Sequence, residues 1–174
     1  MCYVGSFSKT MLPAVRLGFV VLPPSLRSAL RAARQLSDGF SPVPTQAALA
    51  RFIDDGMLAR HVRKASTVYA RRRAAVLAAL KPVPGLHVVP SSAGLHVCVR
   101  MPGGRPGVAQ RVVSAARRGG VAVESLDGYY LAGQGSASAD AEGLAVGYGA
   151  IADDRVDEGL RRLVRVLRRE TTVS

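Results

Sequence analysis

The chain has 174 residues, is 48% apolar and 21% charged, and carries a formal net charge of +12. It is long enough for one ordinary domain or two small pieces, and apolar enough to bury a real core. No apolar run reaches the roughly 18 residues of a membrane span, and the start "MCYVGSF" lacks the basic and long apolar regions of a signal peptide.

With no Trp and few aromatics, the core must be mostly Ala, Val and Leu. Cys2 and Cys98 lie far apart and match no metal or redox spacing. They are expected to be two buried thiols in a reducing cytosol. The arginines are spread along three predicted helices with no aromatic stripe beside them. Solvated helix faces account for that spread, and a polyanion-binding face is the competing reading.

In chain order, "CYVG" (2–5) reads as a short strand and "RLGFVVL" (16–22) as a second, buried one. "PPSLRSALRAARQL" predicts a helix with Pro24 near its first turn and Leu26, Leu30, Ala33 and Leu36 on one face. "SDGFSPVP" breaks it. "TQAALARFIDD" predicts another helix with Thr45 as its N-cap. A long helix is expected from about Met57 to Leu80, ended by "KPVPG". "LHVVP" and "GLHVCVRM" read as strands, "GVAQRVVSAARRG" as a helix and "VAVES" as a strand. "GQGSASADAEG" (133–143) is a small-residue loop, and "LAVGYGA" (144–150) is a strand. "ADDRVDEGLRRLVRVLRRE" is a last amphipathic helix, with acids first and arginines last to match the helix dipole.

The order of elements from 86 to 170 makes a compact α/β unit, and the helix at 57–80 is the natural hinge before it. Residues 1–56 offer two strands and two helices, too little to close a core alone. The sequence also starts within one residue of a strand. Both features lead us to expect a longer protein that begins before Met1.

The turn "GSFSKT" holds Lys9, one of only three lysines in a chain that writes nearly every cation as Arg. A phosphate loop of the Walker type would need glycines where Ser8 and Tyr3 stand. A solvated surface lysine is the bland alternative. The third reading is a lysine that holds pyridoxal phosphate (PLP). An aldehyde cofactor needs an amine that can lose its proton, which a guanidinium cannot do. Ser6 and Ser8 offer hydroxyls to a phosphate, and Arg16 offers a bidentate fork.

"GSFSKTMLPAVRLGFVVLPPSL" resembles the lysine loop of fold-type-I PLP enzymes of the aminotransferase class I/II group. It is most similar to the aminotransferase-like domain of MocR-type regulators of the GntR family. The stretches at 45–80, 93–102 and 144–163 resemble the same proteins in the same order. The resemblance implies an α/β fold: the C-terminal portion of a fold-type-I transferase. Residues 1–56 would be a remnant of the PLP-binding large domain, and 57–174 a linking helix with the small C-terminal domain. It implies that Lys9 forms a Schiff base with PLP and that Ser6, Ser8 and Arg16 hold the phosphate. His61 and His96 are read as packed or hydrogen-bonded rather than catalytic, and Tyr69, Tyr129, Tyr130 and Tyr148 as core or interface residues rather than cofactor contacts.

Two departures from the family pattern stand out. Family members carry a long region before this lysine, with the acid that pairs with the pyridine nitrogen and the aromatic that stacks on the ring. The acids here, among them Asp38, Asp54, Asp55 and Asp127, follow the lysine. The isolated chain is therefore expected to bind PLP weakly and to be inactive. Second, the family's carboxylate-gripping arginine would fall at Ala145 in "LAVGY". Arg100, from a neighbouring strand, is a candidate substitute. The resemblance also implies a cytoplasmic protein with an amino acid or amine as substrate or effector, and a homodimer when intact. It would touch DNA only through a winged-helix domain upstream, and no membrane. An enzyme and an effector-sensing regulator both remain open, as does a product with no activity alone.

Overall fold

The computed structural model describes residues 1–37, 39, 42–92, 94–103, 105–130 and 142–171. They divide into two units, 1–66 and 67–174, with the division inside one long helix. The acid Asp38 and nearly all of the small-residue loop expected at 133–143 lie outside the described residues.

In the first unit, strand β1 (Tyr3–Ser6) pairs antiparallel with β2 (Gly18–Val21), with Tyr3 opposite Val21 and Ser6 opposite Gly18. The aromatic and β-branched residues of both suit a pleated ladder. Phe19 lies over Gly5, where an added Cβ would come within 2.4 Å of its ring. That close approach is why position 5 takes no side chain. Tyr3 and Phe7 flank the same ring at centroid distances of 5.8 and 5.5 Å. Helix α1 (Pro24–Ser37) and helix α2 (Val43–Asp54) follow, then α3 (Met57–Leu80), whose first turns close the unit.

Two expectations need correction here, the burial of β2 and the cap of α2. Strand β2 is exposed along its whole length rather than buried, because an open cleft separates the ladder from Leu30 of α1 and Leu49 of α2. The apolar face of α1 forms as expected, with Leu26, Leu30 and Leu36 exposed on it; among the described residues of this unit only Leu17 and Leu49 are buried. Thr45 is not the N-cap of α2. The helix begins at Val43 with Pro42 before it, and Pro44 sits inside the first turn. The fixed φ of proline suits that turn, where its missing N–H costs nothing.

In the second unit, β3 (His87–Val88), β4 (His96–Arg100), β5 (Glu124–Ser125) and β6 (Gly143–Gly147) form a sheet in the order β3-β4-β6-β5, antiparallel throughout. Helices α4 (Val108–Arg118) and α5 (Val156–Thr171) pack together on it. Alternation along the strands sends Val97, Val99, Leu144 and Val146 into the core. There they join Val112 and Ala116 of α4, Leu163 and Leu167 of α5, and Val76 and Leu80 of α3. Each fully buried Leu or Val contributes about 1.5–3 kcal/mol, so cohesion is concentrated in this unit.

Two polar devices hold its edges. Helix α4 starts after Gly107 without a Ser, Thr or Asp cap. The Glu142 carboxylate, from the start of β6, instead accepts from the Gly107 and Ala109 backbone N–H groups, the latter at 2.9 Å. Its backbone oxygen accepts from Met101 N at 2.9 Å. A carboxylate there satisfies orphan donors and opposes the positive helix end. On the other side, Arg72 is nearly buried, its side chain 13% exposed. It donates to Asp153 at 2.7 Å and to the carbonyls of Tyr148 and Gly149 at 3.2 and 2.9 Å. Arg71 pairs with the same carboxylate.

Candidate functional site

The lysine turn joins β1 to β2. The ladder runs one step past the strands, where Phe7 N–H donates to Leu17 O at 3.0 Å and pinches the 7–17 loop. Inside it, Met11 N–H donates to Phe7 O at 2.8 Å, and Ser8 N–H donates to Ser6 Oγ at 3.2 Å. The Ser6 hydroxyl thus receives one bond and keeps its own proton to give. Residues Pro13–Val15 make a 3-10 turn, started by Pro13 and closed by Arg16 N–H on Pro13 O at 3.3 Å.

Arg16 itself adopts φ 50, ψ 34. Among the described residues it is the one non-glycine with positive φ. The left-handed region costs a side-chain-bearing residue about 1–2 kcal/mol. A glycine would be free of that cost, yet the chain keeps a guanidinium there.

Ser6 and Arg16 stand immediately before the two residues of the pinch, one on each side of the loop mouth. Ser6, Lys9 and Arg16 are exposed and Ser8 is half-buried. Among the described residues, neither the Lys9 Nζ nor the Arg16 guanidinium has a hydrogen-bond or ion-pair partner. Ser8, Lys9 and Arg16 therefore share the 7–17 loop, Ser6 ends β1 just before it, and no bond joins the four side chains to one another. Beneath the hairpin lies a cleft of about 930 Å³ walled by Phe7, Leu17, Phe19, Leu30 and Leu49. Arg16 reaches its margin; Ser6, Ser8 and Lys9 do not line it.

In the second unit, the sheet face opposite the core carries His96, Cys98, Arg100 and Glu124. Ala145 lies on this face between Cys98 of β4 and Glu124 of β5, with Arg100 opposite Gly143 two pairs along. Ala145 is buried, at 5% exposure. Tyr129 donates its phenol proton to Glu124 at 2.6 Å. That bond, with the nearby negative charge, pushes the phenol above its usual 10.0. No motif marked this pair in the sequence, because Glu124 and Tyr129 meet only through the 3-10 turn after β5.

His61 and His96 are exposed rather than packed. Tyr148 is a core residue, buried with its hydroxyl on Gly94 O at 2.6 Å. Cys98 is half-buried and Cys2 exposed, so the expectation of two buried thiols fails at Cys2, which precedes the first strand. Among the described residues no group of His, Cys, Asp and Glu could hold a metal ion, and no helix is long and apolar enough to cross a membrane.

The profile of the family "Aminotransferase class I and II" matches residues 1–133. The chain belongs to that family. Its fold is the α/β fold of part of a fold-type-I transferase. It aligns with the α-aminoadipate aminotransferase LysN of Thermus thermophilus, solved with N-(5'-phosphopyridoxyl)-L-leucine, at 25% identity and a TM-score of 0.80. That alignment covers 99% of this chain and 43% of LysN. The "Uncharacterized HTH-type transcriptional regulator YhdI" of Bacillus subtilis is 27% identical over 163 residues, 92% of this chain and 33% of that protein. The "Probable rhizopine catabolism regulatory protein MocR" of Rhizobium meliloti is 38% identical over 71 residues, 41% of this chain and 14% of that protein. The chain thus spans a third or less of these two curated relatives. The MocR-type resemblance holds.

Proposed function

We propose that this chain is the lysine-bearing part of a PLP-dependent, aminotransferase-type domain, with Lys9 as the residue that holds the cofactor. The observation that carries the reading is the 7–17 loop. It offers an unpartnered amine at Lys9, an unpartnered guanidinium at Arg16 and the Ser8 hydroxyl, with the Ser6 hydroxyl at the end of β1 beside it. This donor set fits the group. Lys9 Nζ supplies the amine for the aldehyde carbon, and Arg16 with the Ser6 and Ser8 hydroxyls supplies donors to a phosphate dianion. Bound PLP would supply an electron sink for amino acid chemistry. Lys9 Nζ would then be the base that carries the substrate's Cα proton. The strained backbone at Arg16 supports the reading, because such strain is kept where a fixed side chain is needed.

The chain has three lysines, Lys9, Lys64 and Lys81, so labelling can choose among them. Borohydride reduction with PLP present, followed by peptide mass mapping, is expected to place the phosphopyridoxyl group on Lys9. Equal labelling of Lys64 and Lys81 sinks the assignment. In the longer protein expected around this chain, Arg16→Ala is expected to weaken PLP retention roughly tenfold or more, the value of a charge-assisted hydrogen bond, and Arg105→Ala to weaken it less.

A second reading is favoured by Ala145. Where the family resemblance puts an arginine for the substrate carboxylate, a buried alanine stands between Cys98 and Glu124. Together with the likeness to YhdI and MocR, this supports an effector-sensing domain of a transcription regulator, with an amino acid or amine as effector. On that reading, amino acids added with PLP release 2-oxo acid no faster than free PLP does. A faster release overturns it.

A further inference from the structure

A groove of about 830 Å³ runs between α3 and α5 within the second unit. Its floor is low and apolar, made by Ala75, Ala78 and Ala79 of α3 with Leu160 and Val164 of α5. Its wall is Arg161, Arg165, Arg168 and Arg169, and the one acid lining it is Asp157 at the start of α5. Arg161 is paired with Glu158 at 2.8 Å. Arg165 and Arg169 have no partner among the described residues. The helix dipole accounts for cations in the last turn, where Arg168 and Arg169 stand. It does not account for Arg161 and Arg165, two turns and one turn earlier.

From these observations we infer that the α3–α5 groove is a docking surface for the phosphate backbone of duplex DNA. The four arginines are spread over nine residues of helix, eight steps or about 12 Å at 1.5 Å per residue. One strand of a duplex presents a phosphate about every 3.4 Å of axis, so the wall spans three or four of them. Guanidinium forks match phosphate oxygens better than ammonium groups do. The alanine floor lets a rod-like backbone approach the wall closely. Among the described residues the groove holds no aromatic side chain on which unpaired bases could stack. Its rim also lacks the large apolar side chains that would anchor in a bilayer. No Asn or Gln lines it to read base edges, so the contact is independent of sequence. The inference is independent of the cofactor reading, and its test needs no PLP.

The test is fluorescence anisotropy of a labelled duplex of about 20 base pairs with the 174-residue chain, across a salt series. A slope of log K against log salt of about −3 to −4 is expected for four phosphate contacts. Arg165→Ala with Arg169→Ala is expected to weaken binding about tenfold and to make the slope shallower by about 2. Arg27→Ala with Arg31→Ala, the same charge change on α1, is expected to alter binding less than about twofold. Equal losses in the two double variants would mean attraction to net charge alone and overturn the inference. So would equal competition by a single strand of the same length. Tighter binding to vesicles containing phosphatidylserine than to the duplex would also overturn it.

Discussion

At the scale of single residues, two carboxylates do work that sequence patterns conceal. Glu142 caps α4 from 33 residues downstream of Ala109. Replacing it with Gln removes the negative charge and one acceptor facing the helix end. The expected cost is about 1 kcal/mol, read as a lower thermal midpoint, and an unchanged midpoint would show that solvent caps α4 equally well. Asp153 is held below its ordinary 3.8 by the hydrogen bond from Arg72, with further attraction to Arg71. Because the folded carboxyl is the stronger acid, the unfolded chain takes up the proton first as pH falls. The pair's contribution is therefore complete above about pH 5, declines as pH passes 3.8, and is gone below the folded value. Melting curves from about pH 6 to about pH 2.5 should show wild type and Asp153→Asn converging at the acid end. A constant gap between them would assign the difference to something other than this titration. The effect is modest, since the carboxylate is exposed and screened.

At the scale of elements, the two sheets obey different constraints. The four-stranded sheet has one face sealed by α4 and α5, so its residues alternate between core and open face. Leu163 of α5, 1% exposed, sits in the centre of that contact. Leu163→Ala is expected to cost about 2–5 kcal/mol, measured by denaturant midpoint at unchanged slope. A cost below about 1 kcal/mol would mean that α5 collapses into the space left. The two-stranded ladder has no such cover. It is held by its backbone bonds and by Phe19, which lies over Gly5 with Tyr3 and Phe7 tilted against its ring. That small aromatic cluster fixes the strand pair, and with it the loop that carries Lys9.

At the scale of the molecule, the unequal burial predicts unequal protection. The buried cluster of the second unit spans α3, β4, α4, β6 and α5, while the first unit buries Leu17 and Leu49. Amides of β4 and β6 should exchange slowest in hydrogen exchange, and those of β1 and β2 orders of magnitude faster. Similar protection in both sheets would show a cohesion in the first unit that its contacts do not account for. The same asymmetry bears on function. The candidate cofactor loop lies in the less buried unit, and the arginine groove of α5 lies in the more buried one.

Most elements were legible because their periodicity is strong. Helix α3 falls where its apolar period and the closing "KPVPG" place it, and α4 and α5 follow their amphipathic patterns. The family was legible because "GSFSKTMLPAVRLGF" and three later stretches keep its order. The buried reading of β2 and the cap of α2 failed for a shared reason. Burial depends on which layer arrives to cover a strand, and a helix start depends on how proline is used, and local pattern encodes neither.

The sequence by itself determined the element types, the family and the identity of the four candidate residues, because side-chain period and motif spacing are local properties of the chain. Only the tertiary structure decided the left-handed backbone at Arg16, the distant cap from Glu142 and the Arg72–Asp153 tie. It also decided that Ala145 lies between Cys98 and Glu124, and that the arginines of α5 wall a groove. Each of these depends on strand register or on helices meeting far along the chain, and such pairings are fixed by packing.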